Sequence, residues 1–131
     1  MIKEKVLATL RSLGFIPEQI EDFGYRIEYE GLTIIYTLDD NDAKCISLVV
    51  PGLFDITEEN RSNVIESMVG LCGKMKFVQP LIMFDNQVWL CYQHHLESNE
   101  VTPDIVEHMI RTLAISTVTL HEIINGEGND D

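Results

Sequence analysis

Between Gly24 and Pro51 the apolar side chains recur at every second position, and only two short breaks interrupt them. Tyr25, Ile27 and Tyr29 alternate with Arg26, Glu28 and Glu30, the pattern of a half-buried strand. Gly31 turns the chain. Leu32, Ile34, Tyr36 and Leu38 then share one face, with Thr33, Ile35 and Thr37 on the other. Asp39-Asp40-Asn41-Asp42 supplies the second turn, because short polar side chains hydrogen-bond their own backbone. A third strand over 43–50 sets Ile46, Leu48 and Val50 against Cys45, Ser47 and Val49, and Pro51-Gly52 ends it. Connections this short cannot carry a parallel crossover, so the three strands form an antiparallel meander.

Helical periodicity brackets the meander. Ile2, Val6, Leu7, Leu10 and Leu13 predict a helix over 2–13, stopped by Gly14, which takes a left-handed conformation without a Cβ clash. Phe15 to Phe23, with Pro17 early in it, reads as a connector that tucks its apolar residues against that helix. After the meander, Asp55 and Glu58 have capping-box spacing, with Thr57 as the alternative cap. A helix over 58–72 follows, with Val64, Ile65, Met68, Val69 and Cys72 as its inward stripe and Gly73 as its end. Gly70, costly inside a helix, marks a close packing contact.

Two strands over 76–84 and 87–96 then make a hairpin around Asp85-Asn86. Pro80 has no amide proton, which sends its strand to the sheet edge. Thr102-Pro103 starts a last helix over 103–124 that buries Val106, Met109, Ile110, Leu113, Thr117, Leu120 and Ile124. The expected architecture is α+β: a two-layer domain over 1–124, order α-β-β-β-α-β-β-α, with an antiparallel five-stranded sheet. Its strands run first-second-third-fifth-fourth, and the outer helices cover the face lined by Tyr25, Ile27, Ile34, Tyr36, Ile46 and Leu48. Residues 125–131 read as a disordered acidic tail.

Charge narrows the partners. Nine Lys and Arg against 22 Asp and Glu leave a net charge of −13, a field that repels nucleic acid and anionic bilayers. Basic or amphipathic polypeptides suit it better, and the same charge serves solubility. No stretch approaches the roughly 20 apolar residues of a membrane span, and the first residues open a helix instead of a signal peptide. Cys45, Cys72 and Cys91 sit in apolar runs and read as buried, reduced thiols, which fits a cytoplasmic protein.

The residues that bear chemistry do not assemble into a motif. A calcium loop starting at Asp40 needs Gly at its sixth position and Glu at its twelfth, where Cys45 and Pro51 stand. Cys91 and His95 share one face of their strand and His94 takes the other, short of the four ligands of a structural zinc site. His108 and His121 lack an i, i+4 histidine partner, and no nucleophile elbow or glycine-rich phosphate loop is present. No catalytic residue, metal site or cofactor is expected.

The meander Tyr25–Pro51, the stretch Val64–Leu96 and the helix opened by Thr102-Pro103 together resemble, in element order, the type III secretion chaperone-like fold. They are also similar to YbjN-type domains, proposed sensory transduction regulators of the same architecture. Such domains often carry an Asn-rich segment where this chain has Leu71-Cys72-Gly73-Lys74. The resemblance implies an acidic cytoplasmic protein, frequently a homodimer, that binds polypeptide and catalyses nothing. The competing readings are a regulatory or accessory domain for one folded protein and, third, an enzyme.

One surface stands out from the alternation. The outer sheet face should be polar, and Arg26, Glu28 and Glu30 obey. Ile35 and Val49 do not, and in the last hairpin Trp89 and Cys91 join Leu81 and Met83 on an apolar patch. Such a patch marks either a homodimer or polypeptide-binding surface anchored on Trp89, or a face that the middle helix covers within the same chain.

Overall fold

The computed structural model describes residues 2–38 and 44–126. The expected Asp39–Asp42 turn and residues 127–131 of the expected tail lie outside them. Helix α1 (Ile2–Ser12) leads into strands β1 (Glu18–Ile20), β2 (Gly24–Tyr29), β3 (Leu32–Thr37) and β4 (Cys45–Asp55). Helix α2 (Arg61–Lys74), the hairpin β5 (Val78–Ile82) and β6 (Gln87–His95), and helix α3 (Pro103–Ile124) complete the order.

Among the described residues the sheet has six strands, ordered β1-β2-β3-β4-β6-β5, and all five neighbouring pairs are antiparallel. The five expected strands occupy the expected places, with Pro80 on an edge. The sixth is β1, from the segment read as a connector. Its sequence, Glu-Gln-Ile, is too short and too polar to show alternation.

All three helices lie on one face. Val6, Leu7 and Leu10 of α1, Val64 and Leu71 of α2, and Val106, Met109, Ile110, Leu113 and Leu120 of α3 form one core with Ile27, Ile34, Tyr36, Ile46, Leu48, Val88, Leu90 and Tyr92 of the sheet. The middle helix therefore does not cover the outer face. Thr102 caps α3 as its spacing requires, its Oγ1 accepting from the Ile105 amide at 3.3 Å, with Pro103 in the first turn. Gly14 ends the α1 region at φ +97°. At the other end of α3, the Asn125 amide donates to the His121 carbonyl and Gly126 turns at φ +78°.

Three local expectations are corrected. First, β4 continues to Asp55: Pro51 and Gly52, at φ +58°, form an irregularity, and pairing resumes with Phe54 opposite Val88. Asp55 is thus strand, and the capping exchange belongs to Thr57 and Asn60, whose side chains accept each other's amides at 2.7 and 3.1 Å. Second, α2 is rotated from its expected setting. It carries two apolar stripes about 100° apart, Val64–Met68–Leu71 and Ile65–Val69–Cys72, and periodicity alone cannot rank them. Leu71 is buried, whereas Ile65 is 37% and Val69 67% exposed. Third, Cys91 is buried as expected, but Cys45 is only half-buried and Cys72 is exposed on that outward stripe. A Cβ added at Gly70 would meet Ile123 at 3.8 Å, ordinary van der Waals contact, so the position is not a forced close approach.

Candidate functional site

Strand register builds the outer face row by row. Arg26, Ile35, Val49 and Cys91 stand opposite one another on successive strands, and Leu81 stands opposite Trp89. Ile35, Val49 and Cys91 form a small second core, each 7% exposed, with Ile20, Leu81 and Trp89 packed against it. Five of the six residues expected at the patch are therefore together. Met83 lies one residue past β5, outside this cluster, where its amide donates to the Gln87 carbonyl at 3.0 Å.

Trp89 is held at both ends of its ring system. Its indole Nε1 donates to Asp85 Oδ2 at 3.2 Å, across the β5–β6 turn. The ring of Phe23 meets it edge-on, centroids 6.2 Å apart at 83°. Phe23 and Ile20 come from the 18–23 segment, so its apolar side chains serve the outer face instead of packing against α1. Only Phe15, earlier in the expected connector, packs on the helix side, where it tilts against Tyr29 at 6.2 Å. No periodicity announces Ile20 and Phe23, and their role was not legible in the sequence.

Electrostatically the patch is quiet. Burial pushes the Cys91 thiol up, and a contact with Ser47 Oγ at 3.9 Å offsets this only in part. A thiol held neutral is a poor nucleophile. The acids lie around the patch, with Glu18, Glu21, Asp22, Glu28 and Asp85 exposed near its rim.

A second apolar surface adjoins the same sheet edge from the helix side. Ile65, Met68, Val69 and Cys72 of α2 line an open groove of about 260 Å³ with Pro80 and Ile82 of β5. This groove was missed because Ile65, Val69 and Cys72 were read as inward. The β5 edge itself is a weak strand acceptor. The Met83 amide points to β6, so alternation sends those of Val78 and Ile82 outward, and Pro80 between them offers none.

A third cluster sits beside that edge. Phe77, at φ +73° and 68% exposed, stacks on Tyr92 at 5.8 Å and meets His108 edge-on. Tyr92 Oη lies 3.1 Å from His108 Nδ1. Its phenol is raised by burial. Among the described residues no three His, Cys, Asp or Glu side chains converge as metal ligands. No helix among them is long and apolar enough to cross a membrane.

No family profile matches the chain, and no curated protein sequence matches it. Solved structures do. YbjN of E. coli, described as a candidate transcription regulator, superposes with a TM-score of 0.62 at 14% identity, over 91% of this chain and 89% of its own. An uncharacterized protein from Methanothermobacter thermautotrophicus gives 0.60 at 12% identity, over 96% and 98%. The Yersinia pestis type III secretion chaperone SycH, solved in complex with a stable fragment of YscM2, gives 0.59 at 11% identity, over 92% and 99%. The chain has the fold of YbjN and the secretion chaperones, with a six-stranded sheet.

Proposed function

We propose that this protein is a non-enzymatic polypeptide-binding module whose binding surface is the outer sheet face anchored on Trp89. The observation that carries the reading is a second apolar cluster, Ile35–Val49–Cys91 with Leu81 and Trp89, on the face that no helix covers. Aromatic anchors of this kind dominate binding energy when a partner excludes water from them. A net charge of −13 directs the choice toward segments that carry cations and away from nucleic acid. The SycH structure supports the reading by analogy of fold, since that chaperone was solved with a protein fragment.

A tiled array of basic and acidic 15-residue peptides tests it. The parent protein is expected to retain apolar basic peptides, and a folded Trp89→Glu variant to lose them. Equal retention by both overturns the assignment of the face. If the parent binds one folded protein and no peptide, the module is an accessory domain instead.

The groove between α2 and β5 supports a second role, pairing with another copy of the chain. Its apolar stripe is flanked by exposed Glu58 and Glu59, with Arg61 next to them, at one end and exposed Lys74 and Lys76 at the other. Two α2 helices packed antiparallel about a two-fold axis bring the acids of each against the lysines of the other, a self-complementary arrangement. In light scattering, Val69→Glu is expected to be monomeric and the parent dimeric. A monomeric parent contradicts this role and leaves the outer face untouched.

A further inference from the structure

Resting on the outer-face reading, we propose that residues 18–23 are a built-in stand-in for the bound polypeptide. The occupant that displaces them is a cationic segment with an aliphatic and an aromatic residue three positions apart.

The stand-in role follows from what the segment touches. Ile20 packs on the Ile35–Val49–Cys91 cluster and Phe23 meets Trp89 edge-on, so these two side chains already fill the anchor positions of the face. Their spacing is set by a tight turn in which the Phe23 amide donates to the Ile20 carbonyl at 3.0 Å. The segment is also loosely held. Its strand part pairs with β2 alone, through three residues at the sheet edge, its Glu18–Arg26 ion pair is solvent-exposed, and beyond the strand the Phe23 carbonyl accepts from the Leu38 amide at 3.1 Å. Glu21 within it is held at φ +42°, a conformation that a residue with a Cβ adopts at a cost.

The segment ends at a fixed point. A Cβ at Gly24 would lie 2.0 Å from the Tyr36 carbonyl oxygen, a close approach to β3 that only glycine permits. From Gly24 to Tyr29 the chain is fixed by pairing with β3. Release of 18–23 therefore removes the edge strand β1 and leaves β2 to β6 paired.

Charge names the replacement. Glu18, Glu21 and Asp22 put three acids among six residues, on a chain that already carries −13. Glu18 already faces Arg26, so a segment that keeps this acid and the same two apolar side chains, with basic residues in the places of Glu21 and Asp22, exchanges repulsion for attraction.

The full chain with Cys45→Ser and Cys72→Ser leaves Cys91, in the cluster against which Ile20 packs, as its reporter thiol. Adding Ile20→Ser and Phe23→Ser is expected to raise the Cys91 labelling rate about tenfold, with unchanged far-ultraviolet circular dichroism. Should that pair of changes prevent folding, Phe23→Ala alone is expected to move the rate the same way by a smaller factor. The ligand probe is a synthetic 18–23 hexapeptide carrying Glu21→Lys and Asp22→Lys, followed by the emission of Trp89, the chain's single tryptophan. It is expected to bind the loosened variant about fivefold more tightly than the parent, because nothing has to be displaced first. An unchanged Cys91 rate in the loosened chain overturns the proposal. So does equal affinity for parent and loosened variant, or equal binding of a version with glutamine in the two lysine places. None of these outcomes alters the array result expected from the outer face, so the two readings fail separately.

Discussion

Phe23 and Trp89 belong to opposite halves of the sheet, yet their rings meet edge-on at 6.2 Å across its outer face. The contact closes the 18–23 segment over a cluster that would otherwise meet water. An edge-to-face aromatic pair contributes roughly 0.5–1.5 kcal/mol beyond the area it buries. Phe23→Ala is therefore expected to lower stability by about 1–2 kcal/mol in urea unfolding, since the ring stays 43% exposed. The Trp89 emission maximum should move to longer wavelength as water reaches the indole. A blue shift would mean that the segment does not shield Trp89.

The residues involved explain how far the sequence could be read. Alternation in Tyr25–Val50 and the Thr102-Pro103 start set the meander, the neighbours of each strand and the limits of the last helix. Pro80 placed the edge, because a missing amide proton is a local fact with one structural solution. The same reasoning brought Ile35, Val49, Cys91, Leu81 and Trp89 to one face. What failed was tertiary. Two apolar stripes on α2 are equivalent until a neighbour chooses one, and a three-residue strand such as Glu18–Ile20 exists only because β2 is there to pair with it.

Gly70 offers a stabilising change. A Cβ there would meet Ile123 at 3.8 Å, an ordinary contact, and the position is inside α2. Gly70→Ala is expected to raise stability by about 0.5–1 kcal/mol through the lower backbone entropy of the unfolded chain. Thermal unfolding of the variant checks this, and a lower midpoint would show that α2 and α3 pack more closely there than the contact distance allows.

Gly24 is the opposite case. With the Tyr36 carbonyl 2.0 Å from any added Cβ, Gly24→Ala forces β2 away from β3. The expected cost is about 2–3 kcal/mol, at the upper end of overpacking effects. Chemical denaturation should show the loss, and a neutral result would contradict the close strand approach.

Tyr36 predicts an alkaline limb. Burial first, and the charge of Glu4 second, push its phenol from 10.0 up to about 12. The folded state thus holds this proton more tightly than the unfolded chain. Its contribution is complete below pH 10 and is lost as the pH rises from 10 toward 12, at up to about 1.4 kcal/mol per pH unit. Stability of Tyr36→Phe should be flatter than the parent across that window. Parallel curves would show that the phenol titrates alike in both states.

Amide chemical-shift mapping tests most directly whether the outer face binds polypeptide. On titration with the lysine-substituted hexapeptide, saturable shifts are expected at Ile35, Val49, Cys91 and the Trp89 indole, while Leu10, Leu113 and Leu120 of the helix-side core stay in place. Shifts confined to the α2 groove, or none at saturating peptide, would contradict it.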